Sequence, residues 1–198
     1  MKNEKTPEQV IISHDIMRYK KNKAAQILAL LGLVFNCLYF MLLYGISGNF
    51  YYTTGSENYA GLTLMGVSVI LTLVILLTVF LSSENVKNYK KTYSYVLLAI
   101  AVIQVVRIFG YPLWGLKNQI LTVGYFGFFP TPEQSWVEFT ILTVYLCASA
   151  ACLVAAAVLG WIQSVRLGAY MAKVESGEVD VMDVVKKLDA QETRAEVD

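Results

Sequence analysis

Four runs of about twenty mostly apolar residues leave this chain few folds to choose from. They are Ala24–Tyr44, Leu62–Leu81, Tyr93–Leu113 and Val137–Ile162. Each is long enough to cross the hydrocarbon core of a bilayer as a helix. A helix satisfies its backbone N–H and C=O groups internally, which lipid demands. The fold expected is therefore an all-α membrane protein, an antiparallel bundle of four transmembrane helices over residues 24–165. A basic segment, 1–23, precedes it and an acidic tail, 166–198, follows. The four spans use so much of the 198 residues that no second water-soluble domain fits.

The basic residues orient the bundle. Met1–Lys23 carries six Lys/Arg, at positions 2, 5, 18, 20, 21 and 23, and the connector after the second run carries Lys87, Lys90 and Lys91. The connector 45–61 carries none, and the one after Leu113 has only Lys117. By the positive-inside rule both termini and the middle connector are cytoplasmic, in a multi-pass plasma-membrane protein. The first run begins too late, is too long and lacks a small-residue cleavage site, so no cleavable signal peptide is expected. The formal net charge of +1 gives no reason to expect nucleic acid as a partner. Cys37, Cys147 and Cys152 all fall inside spans without a CxxC pair, which speaks against dithiol redox chemistry.

The residues within and beside the spans suggest how they pack. Tyr39, Phe40, Tyr44, Tyr51, Tyr52 and Tyr59 crowd the outer boundary, as do Tyr111, Trp114, Tyr125 and Trp136. Tyr89, Tyr93, Trp161 and Tyr170 mark the inner one, giving two aromatic belts. Thr63, Ser68, Thr72 and Thr78 in span two can bond back to their own helix, which lets that span face lipid widely. Gln26 and Asn36 suit interhelical hydrogen bonds. In span four, Ala148, Cys152, Ala156 and Gly160 recur every four residues, a small-residue ridge that admits a close neighbour. Packing within the bundle is the first reading of this ridge, and a subunit interface is the second. Span four should continue as a helix towards Gly177. A short amphipathic cytoplasmic helix is expected over about 180–190, with Val181, Val184, Val185 and Leu188 on one face as a partner-docking surface. Such a helix is marginal alone and needs something to pack against.

Ionisable chemistry inside the membrane narrows to one residue. Arg107 lies well within span three, and Gln104 is one turn away on the same face. Glu138, in the first turn of span four, is at a similar depth, so an Arg107–Glu138 pair is geometrically possible. An intramembrane arginine is a functional-site candidate by default, here as an outward-facing polar pocket for an anionic ligand. The alternative is a snorkelling or salt-bridged structural arginine. His14 has no metal-ligand cluster around it. The chain contains no P-loop, HExxH or GxSxG motif, so neither an enzyme nor a cofactor or metal is expected.

The connector 116–130 is too apolar for a solvated loop and too short to cross, which suggests an interfacial or re-entrant segment. Within it, Thr122-Val123-Gly124-Tyr125 resembles the start of the potassium-channel selectivity filter, and Pro130 falls where such channels often have a proline. The resemblance implies an outward-facing pore loop built on a ring of backbone carbonyls. The pattern departs at Phe126, where that family has a second glycine, and at Gly127, where it has an acid. Any pore helix would begin near Pro112 and be short.

The stretches Met17-Arg18-Tyr19-Lys20-Lys21-Asn22-Lys23, Leu81-Ser82-Ser83-Glu84-Asn85-Val86-Lys87-Asn88-Tyr89 and Val106-Arg107-Ile108-Phe109 resemble small uncharacterised four-helix membrane proteins of Gram-positive bacteria. The resemblance covers spans one to three, implies no activity, and tilts the expected partner towards sugar-uptake systems. The function expected is a non-enzymatic accessory or scaffolding subunit of a membrane transport complex. Its partners would be the bilayer and either another membrane protein or further copies of itself. The alternative is a small channel or carrier using the 116–130 loop and Arg107.

Overall fold

A computed structural model of the chain describes residues 22–54, 59–117 and 132–177. Among the described residues the five elements are all helices: α1 Lys23–Thr54, α2 Tyr59–Lys87, α3 Lys91–Ile108, α4 Tyr111–Lys117 and α5 Pro132–Glu175. Four stretches within them are long and apolar enough to cross a membrane, namely Lys23–Leu43, Thr63–Lys87, Lys91–Lys117 and Trp136–Lys173. Large apolar side chains such as Ile70, Leu77, Val102, Val106, Val144 and Val158 lie on the outer surface. That is the arrangement of a multi-pass membrane protein, whose outward surface meets hydrocarbon rather than water.

The helices form a closed ring in which α1 packs on α2, α2 on α3, and α5 on both α3 and α1. Cross-helix contacts fix the directions. At one end of the α1–α2 pair, Asn22 donates to the Val86 carbonyl and Gln26 Nε2 donates to Glu84 Oε1 at 2.7 Å. Ser149 of α5 bonds Gly32 of α1, while Tyr145 pairs with Phe35. Rising residue numbers on one helix thus meet falling numbers on its neighbour.

Local chemistry sets the ends of the elements. After Lys87 the chain reverses through Asn88, Tyr89 and Lys90, with Tyr89 at φ 57° and its carbonyl accepting from Ser164 Oγ at 3.2 Å. Span three is broken at Phe109–Gly110. Pro112 has no N–H to give Ile108, and its ring crowds that carbonyl, so α3 stops at Ile108 and the short α4 restarts at Tyr111. α5 opens on Pro132, a residue suited to the first helical turn. It runs for 44 residues, about 66 Å at 1.5 Å per residue, or twice the hydrocarbon thickness. It closes before Gly177, whose φ of +78° is the left-handed stop expected there.

The interior has two apolar halves. One contains Ala25, Ala29, Ile75, Val79, Val86, Leu97, Ile100, Ala101, Leu153, Ala156 and Ala157. Small residues bring the helices close here: a Cβ on Gly160 would stand 2.8 Å from Val86 Cγ1 and 2.9 Å from Ser94 Oγ. The other half contains Tyr39, Leu43, Met65, Tyr111, Leu142 and Leu146. On each of α1, α2, α3 and α5, buried polar residues fall between the two halves.

Candidate functional site

The polar layer is built from one level of every long helix. α1 supplies Asn36, α2 Ser68 and Thr72, α3 Gln104 and Arg107, and α5 Ser149. Arg107 is only 7% exposed. Its Nη1 donates to Gln104 Oε1 at 2.7 Å and to Asn36 Oδ1 at 3.3 Å. Its Nη2 donates to Thr72 Oγ1 and, at 3.5 Å, to the Ser68 carbonyl. Gln104 Nε2 donates to Asn36 Oδ1 at 3.0 Å and to Ser149 Oγ at 3.1 Å. Ser149 passes its own proton to the Gly32 carbonyl at 2.8 Å, and Thr72 bonds back to Ser68 O at 2.6 Å. One hydrogen-bonded network therefore touches all four long helices.

The guanidinium also lies over the face of Tyr39, its carbon 4.7 Å from the ring centroid. This is the cation–π geometry that favours an arginine taken out of water. The Tyr39 hydroxyl lies beside the same guanidinium and interacts with it, although its geometry falls short of a full hydrogen bond. Asn36 Nδ2 and the Tyr111 hydroxyl, both buried, have no hydrogen-bond partner among the described residues. Tyr111 arrives beside Tyr39 because the helix restarts after Gly110, in the same apolar cluster.

The three singled-out polar residues separate in space. Arg107 and Gln104 meet, and both are buried. Glu138 is not among Arg107's partners; it is half-buried on α5 and interacts electrostatically with Tyr111 instead. All the hydrogen bonds of Arg107 thus go to neutral acceptors, so the guanidinium neither snorkels nor forms that salt bridge. Asn36 joins the network, whereas Gln26 serves the far end of α1.

Several other placements differ from the sequence reading. Tyr39 and Tyr111 are 0% and 1% exposed, core residues rather than members of an aromatic belt. Ser68 and Thr72 face the bundle interior although Thr72 does bond back to its own helix. On α5 the buried stripe is Leu142, Leu146, Ser149, Leu153, Ala156 and Gly160. Ala156 and Gly160 of the small-residue ridge lie in it, while Ala148 and Cys152 are half-buried at its flank. The filter-like Thr122, Val123, Gly124 and Tyr125, and the docking face Val181, Val184, Val185 and Leu188, lie outside the described residues. Ahead of that loop, the seven-residue α4 spans Tyr111–Lys117.

The full membership of the layer was open to a simple depth argument. Once neighbouring helices are antiparallel, Asn36, Thr72, Gln104 and Ser149 all fall near the middle of their spans. The single hydroxyls gave no individual signal.

Among the described residues no group of three or more His, Cys, Asp or Glu is placed to hold a metal ion. What the cluster offers chemically is a fixed positive charge and hydrogen-bond donors in an apolar surround. No family model, curated protein or solved structure matches this chain.

Proposed function

We propose that this chain is a non-enzymatic integral membrane protein that acts by binding, as an accessory or scaffolding subunit of a membrane transport complex. The observation that carries the reading is α5. At about 66 Å it outruns a bilayer core of about 30 Å. Ser164 Oγ bonds the Tyr89 carbonyl in the α2–α3 turn and Leu167 is still buried, so α5 continues past that turn as far as Glu175. With the basic connector on the cytoplasmic side, the end of α5 lies on that side too, where the residues that follow it would meet a cytoplasmic or membrane partner. The Arg107 network supports the same reading by tying the bundle into a rigid mount for that arm.

The test is isolation of the protein from its own membranes in mild detergent. A stoichiometric complex well above the 22.1 kDa monomer is expected, and it should dissociate when residues 178–198 are removed. A monomer that captures nothing in membrane cross-linking contradicts the proposal.

A second reading, a small channel or carrier, is favoured by Arg107 itself. An ionisable residue held inside a membrane bundle is a functional-site candidate by default.

A further inference from the structure

We infer that the basic end of the seam between α3 and α5 is a binding site for an anionic phospholipid, with the headgroup phosphate on Lys90 and Lys91 and an acyl chain along the seam below. The inference goes beyond the accessory-subunit reading and does not depend on it.

The site begins in the turn between α2 and α3. The Tyr89 carbonyl accepts from Ser164 Oγ, which ties this turn to α5. Lys90 and Lys91 follow, and both are exposed. Lys90 Nζ donates to Asn85 Oδ1 at 3.1 Å and stands 5.9 Å from the centre of the Tyr93 ring. Lys91 Nζ stands 5.8 Å from the centre of the Trp161 ring on α5. A lysine loses much rotamer freedom when a ligand orders it. Here an amide and two rings hold both ammonium groups beforehand. None of these partners carries a charge, so both ammoniums stay unneutralised. Among the described side chains at this end the acid is Glu84, and it accepts from Gln26 on the α1 side. The first turn of α3 has no side-chain cap, so its N–H groups add positive potential at the same place.

Below the ammonium groups the surface turns apolar in register. Leu98 and Val105 follow Lys91 at intervals of seven on α3, and Val154 and Cys147 precede Trp161 at the same interval on α5. Residues seven apart share a helix face, and all of these are exposed. Ser94 lies by Gly160 and Gln104 bonds Ser149, so α3 and α5 run antiparallel. The two exposed files therefore descend together from the Lys91–Trp161 contact. Seven residues cover about 10 Å, most of one leaflet of roughly 15 Å. A phosphate above such a seam takes charge-assisted hydrogen bonds from both lysines. A choline or ethanolamine headgroup would bring its own positive charge against them, which favours a lipid with net negative charge. Trp161, exposed at the same level, suits the boundary between headgroup and chain.

The test uses the purified full chain in detergent micelles. Its thermal unfolding is followed as phosphatidylglycerol, or phosphatidylcholine with the same acyl chains, is added. A ligand that binds the native state raises Tm as its concentration passes the dissociation constant. The expected result is a rise with phosphatidylglycerol at concentrations where phosphatidylcholine has little effect. In the Lys90→Gln/Lys91→Gln double variant the phosphatidylglycerol concentration needed should rise about ten-fold or more. The Lys23→Gln/Lys173→Gln variant removes the same charge from exposed positions on α1 and α5 and should leave that concentration unchanged. An equal loss in both variants would overturn the site and leave general charge attraction in its place. No difference between the two lipids would overturn the preference for an anionic headgroup. An equal rise with soluble glycerol phosphate would overturn the lipid as occupant and leave a phosphate site.

Discussion

Arg107 donates through Nη1 to Gln104 Oε1 at 2.7 Å, one turn back on the same helix. This bond fixes which end of the Gln104 amide is oxygen. Its nitrogen is then free to donate to Asn36 on α1 and Ser149 on α5. Arg107 turns the other way, to Thr72 and Ser68 on α2. A local contact on α3 thereby sets the polarity of the Gln104 contacts to two other helices, α1 and α5.

Arg107→Lys keeps the charge but loses the planar fork that serves Nη1 and Nη2 at once. An ammonium has neither the reach nor the two-sided geometry for acceptors on α1 and α2. With membrane hydrogen bonds averaging about 0.6 kcal/mol each, the expected loss is roughly 2 kcal/mol. Reversible unfolding in mixed micelles measures it. An unchanged unfolding midpoint would show that the bonds to Asn36, Thr72 and Ser68 contribute nothing.

Two glycines should respond with opposite sign. A Cβ at Gly160 would meet Val86 Cγ1 at 2.8 Å and Ser94 Oγ at 2.9 Å, and these atoms belong to tightly packed neighbours. Gly160→Ala is therefore expected to cost about 1–3 kcal/mol, as overpacking does. A Cβ at Gly66 meets nothing within 4 Å. Gly66→Ala is expected to gain up to about 1 kcal/mol from helix propensity alone. The same unfolding assay applied to both variants checks the sign at each position.

The charge distribution predicts sidedness. In a chain with Cys37, Cys147 and Cys152 replaced by Ala, Lys117→Cys should react with an impermeant maleimide on intact cells. Lys90→Cys should react only after the membrane is opened. The opposite pattern would invert the bundle and place the long arm of α5 outside.

The helices were legible because each apolar run is set by length alone, a signal that lipid makes nearly unconditional. Their ends were less so. α1 runs on to Thr54 and α5 to Glu175 because helix formation does not stop where hydropathy does. The break after Ile108 was readable from Pro112, whose missing N–H acts locally. Arg107 and Gln104 stood out as polar residues in an apolar run, but their partners did not. Ser68, Thr72 and Ser149 look like ordinary small polar residues of a membrane helix until the helices are set side by side. Tyr39 and Tyr111 misled for a physical reason. A tyrosine near a span end suits the interface and the core equally well, and the buried cation decides for the core. Glu138 could be placed by depth but not by rotation about its helix, and rotation turns it to Tyr111 rather than Arg107.

The central claim is that one network, centred on Arg107 and Gln104, couples all four long helices. A double-mutant cycle on Thr72→Val and Ser149→Ala tests it most directly. These residues sit on α2 and α5, which face each other across the ring, and they are linked through Arg107 and Gln104. Residues in one network show interaction energies of about 0.5 kcal/mol or more, whereas independent sites add within about 0.3–0.5 kcal/mol. A coupling of about 0.5–1.5 kcal/mol between the two substitutions is the result expected. Strict additivity would mean that the polar layer is a set of separate contacts, and that Arg107 does not join the helices through it.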